Sequence, residues 1–154
     1  MGRIYDALVR FLREDNWAFT PMEGRTALVL SINGEHGMYT CYAQAREEQE
    51  QFVFYSFYAV KAPQSKRVAA MEYITRANYG LIIGNFELDM SDGEVRYKTS
   101  IDVEGEPLTP GMIRLLIAAN LSTADRYLPG FMLVLYGNRS AADAIREIEG
   151  PERT

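Results

Sequence analysis

The stretch NYGLIIGNFELDMSDGEVRYKTSIDVEG, residues 78–105, predicts a β-hairpin and decides the fold class. Apolar residues alternate with polar ones over residues 82–90 and again over residues 95–103. Alternation of this kind is typical of strands that have one buried face and one solvated face. Asp92-Gly93 lies between the two runs and suits a two-residue turn that matches the twist of paired strands.

A two-residue turn fixes the register predicted for this hairpin, because it places Met90 opposite Val95 on the buried face. On the solvated face it gives two pairs of opposite charge, Asp89 with Arg96 and Glu87 with Lys98. A slip by one residue would set apolar side chains against charges, so we expect one well-specified register. The hairpin carries no phosphate-loop or calcium-loop pattern, and we interpret it as a structural unit.

Composition indicates one globular domain over residues 1–154 and argues against two classes of partner. The chain is 47% hydrophobic and 24% charged, which is ordinary for a protein with its own core. The net charge is −5 and the 16 Lys and Arg residues form no basic patch, so nucleic acid is not an expected partner. The longest apolar stretches, residues 52–60 and 128–136, are too short to cross a membrane. A single Cys and an N-terminus without an apolar signal core indicate a cytoplasmic protein.

The order of predicted elements favours an α+β fold with an antiparallel sheet of about five strands. The elements are a helix at residues 3–15, strands at 26–33, 38–46 and 51–60, a helix at 66–79, the hairpin, and C-terminal helices that begin at Pro110 and after Ser140. Strands and helices are therefore segregated as helix, three strands, helix, two strands and helices.

The helical segments carry more specific expectations. The helix at residues 66–79 is predicted to turn Val68, Met71, Ile74 and Thr75 toward the core. In the next helix Asn120 interrupts the apolar stripe, so we expect the helix to end nearby. Residues 128–136 are apolar on all sides, and the pattern fits either a buried strand or a buried helix.

The strand at residues 51–60 is apolar on both faces, and it supplies most of the candidate binding residues. A strand of this kind is covered on both faces, by helices, by a second subunit or by a bound segment. The candidate partner-binding or dimer-interface residues are Phe52, Phe54, Tyr55, Phe57 and Tyr58 of this strand and Tyr42 of its neighbour. If this strand builds a dimer interface, Phe57→Glu or Phe54→Glu should give a monomer.

The polar residues suggest recognition rather than catalysis. Asp125 and Arg126 are the candidate polar recognition residues, and the alternative is a helix start in which Ser122 or Thr123 caps the first turn. His36 is the only His, and Cys41 lies five residues along an adjoining strand, about 17 Å away at ordinary strand rise. We therefore expect no catalytic dyad, no metal site and no cofactor.

Two motifs carry a family resemblance: RANYGLIIGNFELDMSDGEVRYKTSIDVEG, residues 76–105, and STADRYLPG, residues 122–130. They resemble the YbjN-like proteins, a family described as bacterial sensory transduction regulators, and the resemblance is best over residues 67–137. That family is similar in fold to the small acidic chaperones of type III secretion, which are typically dimers that hold an extended segment of a client protein. The resemblance implies that residues 128–136 are helical, and it brings no catalytic residues.

The leading hypothesis is a non-enzymatic, chaperone-like or adaptor and regulatory domain that binds a protein segment as a homodimer. The absence of a catalytic constellation, the two-sided apolar strand and the resemblance motivate it. The alternative is a small-molecule-sensing regulatory domain whose aromatic-rich sheet closes over an apolar ligand.

Overall fold

The fold is a six-stranded antiparallel sheet with helices packed on one face, as described for residues 2–151 in a computed structural model. The helices are α1 (Arg3–Glu14), α2 (Arg67–Asn78), α3 (Pro110–Tyr136) and α4 (Ala141–Glu149), with a short 3-10 helix at Gln64–Lys66. The strands are β1 (Thr20–Pro21), β2 (Ala27–Asn33), β3 (Met38–Arg46), β4 (Gln51–Phe57), β5 (Asn85–Leu88) and β6 (Val95–Asp102). The sheet order is β1-β2-β3-β4-β6-β5, so the predicted α+β class is confirmed, with the two-residue β1 as an additional strand.

The core lies between the helices and one face of the sheet. Helix α1 packs on β3, α3 packs on β4 and β6, and α2 packs on β5. The predicted inward face of α1 is confirmed, with Ile4, Leu8, Phe11 and Leu12 all buried. Among the described residues, no helix has both the length and the apolar character that crossing a membrane requires.

The hairpin pairs with the predicted faces but in a different register. Leu88 lies opposite Val95 and Phe86 opposite Tyr97, a shift of two residues from the predicted pairing of Met90 with Val95. The connection is longer than the predicted two residues because the Asp89 carboxylate accepts from the Ser91 amide at 2.9 Å. This bond closes a local turn directly after β5 ends at Leu88. A shift of two residues keeps every side chain on its face, so the alternation alone cannot detect it.

The predicted core face of α2 is wrong. The buried residues of α2 are Ala70, Tyr73, Ile74 and Ala77, and of the predicted set only Ile74 is among them. Val68 is 67% exposed and Met71 is 43% exposed. The buried side of α2 belongs to a helix that packs on α3, α4 and β5, and Val68 and Met71 are left outside.

Helix α3 runs unbroken through Asn120, so the predicted end near this residue is wrong. Asn120 is fully buried, and its Nδ2 donates to the Phe54 carbonyl at 2.9 Å and to the Tyr97 carbonyl at 3.1 Å. Its Oδ1 accepts from the Ser56 hydroxyl at 2.5 Å. A buried amide costs little when its partners are in place, so the polar residue continues the packed face of the helix.

Residues 128–136 are helical, as the family resemblance implied, although Pro129 lies inside α3. Two buried tyrosines reach backbone carbonyls just before the proline: Tyr73 bonds the Tyr127 carbonyl at 2.6 Å, and Tyr58 bonds the Ala124 carbonyl at 2.7 Å. Gly130 makes the first contact possible, since a Cβ at this position would collide with the Tyr73 hydroxyl. Other elements of the fold thus stabilise α3 around Pro129, where the helix lacks one of its own hydrogen bonds.

Candidate functional site

The face of the sheet opposite the helices carries three partly exposed aromatic residues, Tyr42, Tyr55 and Phe57. We call it the helix-free face, and its central residues are Val29, Thr40, Tyr42, Val53, Tyr55, Phe57, Arg96 and Lys98. One row of facing residues runs across four strands, from Val29 through Tyr42 and Tyr55 to Lys98. Side chains in such a row are close neighbours, so the face presents a continuous apolar strip that ends in a cation.

The aromatic residues of this face contact each other and a guanidinium group. The ring centres of Tyr42 and Phe57 are 5.0 Å apart, and those of Tyr55 and Phe57 are 6.1 Å apart. The Arg96 guanidinium lies over the Tyr55 ring, 4.1 Å from its centre. This stacking is a cation–π contact that holds the arginine flat on the strip.

One carboxylate holds both cations at the end of the strip. Glu87 pairs with Arg96 at 2.7 Å and with Lys98 at 3.2 Å. Burial acts to raise the pKa of Glu87, but hydrogen bonds from Arg96 and Lys98 outweigh it and the pKa is lowered. Arg96 uses only its Nε in this pair, so its terminal nitrogens can donate to a further acceptor.

A shallow open groove of about 320 Å³ lies beside the aromatic strip. Its lining includes Val53, Tyr55 and Lys98 of the helix-free face, together with the more polar Arg46, Gln51 and Asp102. The groove lining combines apolar residues with polar and charged ones, as protein-binding surfaces usually do.

The two edge strands of the sheet, β1 and β5, are both short. The β1 edge has only two residues, and one of them is Pro21, which has no amide hydrogen to donate. At the β5 edge the Asn78 side chain bonds both backbone groups of Phe86. These features hinder strand addition at part of each edge, although β1 pairs with only Leu28 and Val29 of β2.

The structure divides the predicted interface residues between two environments. Tyr42, Tyr55 and Phe57 lie on the helix-free face and are partly exposed. Phe52, Phe54 and Tyr58 are at most 5% exposed and belong to the core, so the prediction that they contact a partner needs correction. Helices of the same chain cover the side of β4 that carries Phe52 and Phe54, so that apolar face needs neither a second subunit nor a bound segment.

Asp125 is not at a helix start, and its carboxylate is engaged by its own chain. It lies in the middle of α3 and accepts from the amides of Glu35 and His36, each at 3.0 Å, and from the Tyr39 hydroxyl at 2.6 Å. Burial acts to raise the pKa of Asp125, but these hydrogen bonds outweigh it and lower the pKa. Asp125 thereby fastens the β2–β3 turn to α3.

Arg126, the other predicted recognition residue, points elsewhere. It is exposed, with its guanidinium 5.3 Å from the centre of the Tyr127 ring. Among the ion pairs of residues 2–151, none joins it to Asp125. The two neighbours in sequence therefore have separate surroundings.

Glu35, His36 and Asp125 are the described residues that come nearest to a metal-ligand set, with potential ligand atoms within 4.8 Å of one another. Sequence reasoning missed this grouping because the fold brings Asp125 to a turn 89 residues away. The Asp125 oxygens already accept three hydrogen bonds, which accounts for the carboxylate without an ion.

Cys41 has the surroundings of a core residue rather than of a nucleophile. It is fully buried, and its Sγ lies 3.3 Å from the Ser56 hydroxyl. Burial raises the pKa of the Cys41 thiol to about 11, so the thiolate is scarce at neutral pH. The prediction that this cysteine packs as a small apolar side chain agrees with this environment.

Comparison with known proteins gives one family and several similar structures. The model of the YbjN family, described as "Putative bacterial sensory transduction regulator", matches residues 5–132. No curated protein sequence matches the chain. The structure of E. coli YbjN, described as "a putative transcription regulator", is 15% identical with a TM-score of 0.62, and the match covers 87% of this chain and 90% of that one.

Two solved complexes also contain similar chains. A chain of the ExsC–ExsE complex is 14% identical with a TM-score of 0.56, over 84% of this chain and 96% of that one. A chain of the HopA1–SchA chaperone–effector complex is 14% identical with a TM-score of 0.50, over 78% of this chain and 90% of that one. At these identities the likeness concerns the fold, and it confirms the type III chaperone-like architecture.

Proposed function

This chain belongs to the YbjN family, and from that premise we propose that it is a non-enzymatic, chaperone-like adaptor or regulatory domain that binds a protein segment on its helix-free face. One observation carries the proposal. The strip formed by Tyr42, Phe57 and Tyr55 is partly exposed and ends beside Arg96, whose guanidinium stacks on the Tyr55 ring. Aromatic residues and arginine are enriched at binding hot spots because they combine large contact area with directional polar groups.

The chemistry of the strip favours a segment with apolar and acidic side chains. Apolar groups would pack on Tyr42 and Phe57, and a carboxylate would accept from the terminal nitrogens of Arg96. A structure of similar fold solved as a chaperone–effector complex supports a protein as the partner. The proposal also places one domain over residues 1–154, working as a homodimer in the bacterial cytoplasm, in line with the bacterial family description.

The first test is capture of partners from a native bacterial extract by the tagged protein, with identification by mass spectrometry. We would compare the wild type with Phe57→Glu, which alters the strip, and with Leu115→Glu, which alters a 72% exposed apolar residue of α3. A partner enriched by the wild type and Leu115→Glu, but lost with Phe57→Glu, would support the proposal.

Equal capture by all three proteins would refute the helix-free face as the binding surface. Enrichment of no protein at all would refute protein binding under these conditions and would favour the second candidate. Circular dichroism of each variant would show that a lost partner does not reflect lost folding.

Small-molecule sensing is the second candidate, and a groove beside α1 favours it. The groove has a volume of about 550 Å³ and is lined by Tyr5, Val9, Phe19, Arg10 and Arg13, among others. The volume suits a small ligand, but the groove is open to solvent, whereas ligand sites bury most of the ligand surface. A thermal-shift screen against metabolites would test it, and Val9→Glu should abolish any stabilisation found.

A further inference from the structure

The charged end of the aromatic strip is built from three side chains on the two strands beyond β4. Glu87 of β5 lies directly opposite Arg96 of β6, and Lys98 follows two residues further along β6 on the same face. Both oxygens of Glu87 are in use, since Oε1 accepts from Arg96 Nε at 2.7 Å and Oε2 accepts from Lys98 Nζ at 3.2 Å. The three side chains are 31% to 36% exposed, so they are partly withdrawn from water and still reachable.

Arg96 is oriented by two contacts. Its Nε donates to Glu87, and its guanidinium lies 4.1 Å from the centre of the Tyr55 ring. Among the hydrogen bonds of residues 2–151, none uses either terminal nitrogen of Arg96. Parallel N–H groups of a guanidinium match the two oxygens of a carboxylate, so these nitrogens offer a preformed site for an oxyanion.

The ammonium group of Lys98 adds to the same site. It gives one of its hydrogens to Glu87, so the others remain for a ligand or for water. Arg96 and Lys98 carry two positive charges against the one negative charge of Glu87, which leaves the three side chains with a net charge of +1. A ligand with one negative charge therefore neutralises the site.

Carboxylates on the β5 side limit how much negative charge the site accepts. An open groove of about 290 Å³ beside Arg96 is lined by Glu87, Asp89 and Glu94, together with Leu88. A second negative charge on the ligand would lie close to these carboxylates, and like charges repel. The site is therefore better matched to a carboxylate than to a phosphate group, which carries about two negative charges at neutral pH.

We propose that Glu87 is a specificity-determining residue of the helix-free face: it positions Arg96 and Lys98 to receive one carboxylate, and it discriminates against phosphorylated segments. This role rests on the proposed function and adds which acid the bound segment presents. Phe57 and Arg96 face each other across β4 and β6. An Asp or Glu side chain next to an apolar residue of the segment fits this pair, because the apolar group packs on Phe57 while the carboxylate meets Arg96.

NMR titration of the 15N-labelled protein with three small aromatic probes tests this role. The probes are phenylacetate, phenyl phosphate and phenylacetamide, which share a ring and differ in charge. The Nε–H signal of Arg96, assigned by its absence in Arg96→Lys, reports contact with the site. We expect phenylacetate to shift this signal and phenylacetamide to leave it unchanged. At pH 7.5 phenyl phosphate carries about two negative charges, and its Kd relative to that of phenylacetate measures the charge preference.

The decisive variant is Glu87→Gln, which keeps the size of the side chain and an acceptor for Arg96 Nε while removing the charge. We expect the preference for phenyl phosphate over phenylacetate to rise about threefold or more, because the Coulomb energy scales with the charge of the ligand. Glu23→Gln removes the same charge from an exposed turn at the opposite edge of the sheet, so it is the matched control and should leave the preference unchanged. Arg96→Lys keeps the charge without the paired N–H groups, so phenylacetate binding, followed through the backbone amides of β6, should weaken about threefold or more.

The outcomes separate this role from the proposed function. No shift of the Arg96 signal by phenylacetate would overturn the carboxylate site, while partner capture by the Phe57 surface is judged on its own result. An equal charge preference in Glu87→Gln and the wild type would overturn the role of Glu87 in specificity, and its contacts would then be a cross-strand ion pair on a solvated face.

Discussion

The Asn78 side chain forms hydrogen bonds with both backbone groups of Phe86: its Oδ1 accepts from the Phe86 amide at 2.7 Å and its Nδ2 donates to the Phe86 carbonyl at 3.1 Å. The amide thus takes the place of a neighbouring strand at the outer edge of β5. Residue 78 ends α2 and residue 86 lies in β5, so the same two bonds fasten the helix to the sheet.

Replacement of Asn78 by Ala should lower the free energy of unfolding by about 1–3 kcal/mol, because the Phe86 amide loses its partner and the Phe86 carbonyl keeps only the Asn85 side chain. Denaturant unfolding would measure the loss. Asn78→Asp keeps the acceptor and removes the donor, so we expect an intermediate effect. Equal stability of Asn78→Ala and the wild type would mean that solvent replaces the amide without cost.

Asp125 should contribute to the pH dependence of stability. Its pKa is lowered in the folded protein, so its contribution is complete above the unfolded value near 3.8 and is lost as the pH falls through the folded pKa. Asp125→Asn should therefore be less stable than the wild type at pH 7, and the difference should shrink as the pH falls below about 4.

Thermal unfolding of both proteins between pH 2.5 and 7 would check this prediction. Asp92→Asn is a suitable control, because Asp92 also has a lowered pKa but bonds only Lys61 and a local amide at the surface. A constant difference between Asp125→Asn and the wild type across the range would contradict the role of the carboxylate charge.

Local patterns in the sequence were sufficient for much of the fold. The apolar face of α1 and the helix start at Thr109 follow from spacing and capping, and Thr109 accepts from the Met112 amide at 3.2 Å as expected of an N-cap. Ser140 likewise accepts from the Asp143 amide at 3.1 Å. These features depend on residues within one or two turns of each other, which a sequence displays directly.

The features that sequence reasoning missed depend on distant partners. Asn120 and Ser56 are 64 residues apart, and only their contact explains why a polar residue continues a buried helix face. The spacing of Val68 and Met71 in α2 predicts a core face, but these residues are exposed. Periodicity shows that apolar residues share one side of a helix, and it does not show which side the rest of the fold covers. On β4, likewise, the pattern indicates two apolar faces. It does not show that helices cover Phe54 and leave Phe57 partly exposed.

Gly130→Ala should destabilise the protein although alanine is the better helix former. The new Cβ would collide with the Tyr73 hydroxyl and would lie 2.8 Å from Cγ1 of Ile148. Crowding of this kind costs about 1–3 kcal/mol, which exceeds or offsets the gain of about 1 kcal/mol in helix propensity.

A double-mutant cycle can test whether the Tyr73 hydroxyl is the main steric obstacle to a Cβ at position 130. In a Tyr73→Phe background the cost of Gly130→Ala should fall, but not to zero, because a ring carbon of residue 73 and Ile148 remain close. Denaturant unfolding of the four proteins gives the coupling. Strict additivity would show that Tyr73 and Gly130 do not interact.

The buried amide of Asn120 gives the last prediction. Leucine has nearly the same volume, so Asn120→Leu should leave the packing of α3 on the sheet intact while removing the hydrogen bonds to Ser56, Thr99 and two strand carbonyls. We expect the free energy of unfolding to fall by about 1–3 kcal/mol, since these buried groups each lose a hydrogen bond, while the Thr99 hydroxyl keeps the Leu116 carbonyl and the Ser56 hydroxyl keeps Cys41 Sγ. Ser56→Ala removes the donor that faces the Asn120 oxygen, so Asn120→Leu should cost less in the Ser56→Ala background than in the wild type. The same cost in both backgrounds, measured by denaturant unfolding, would show that the Ser56 hydroxyl does not depend on Asn120.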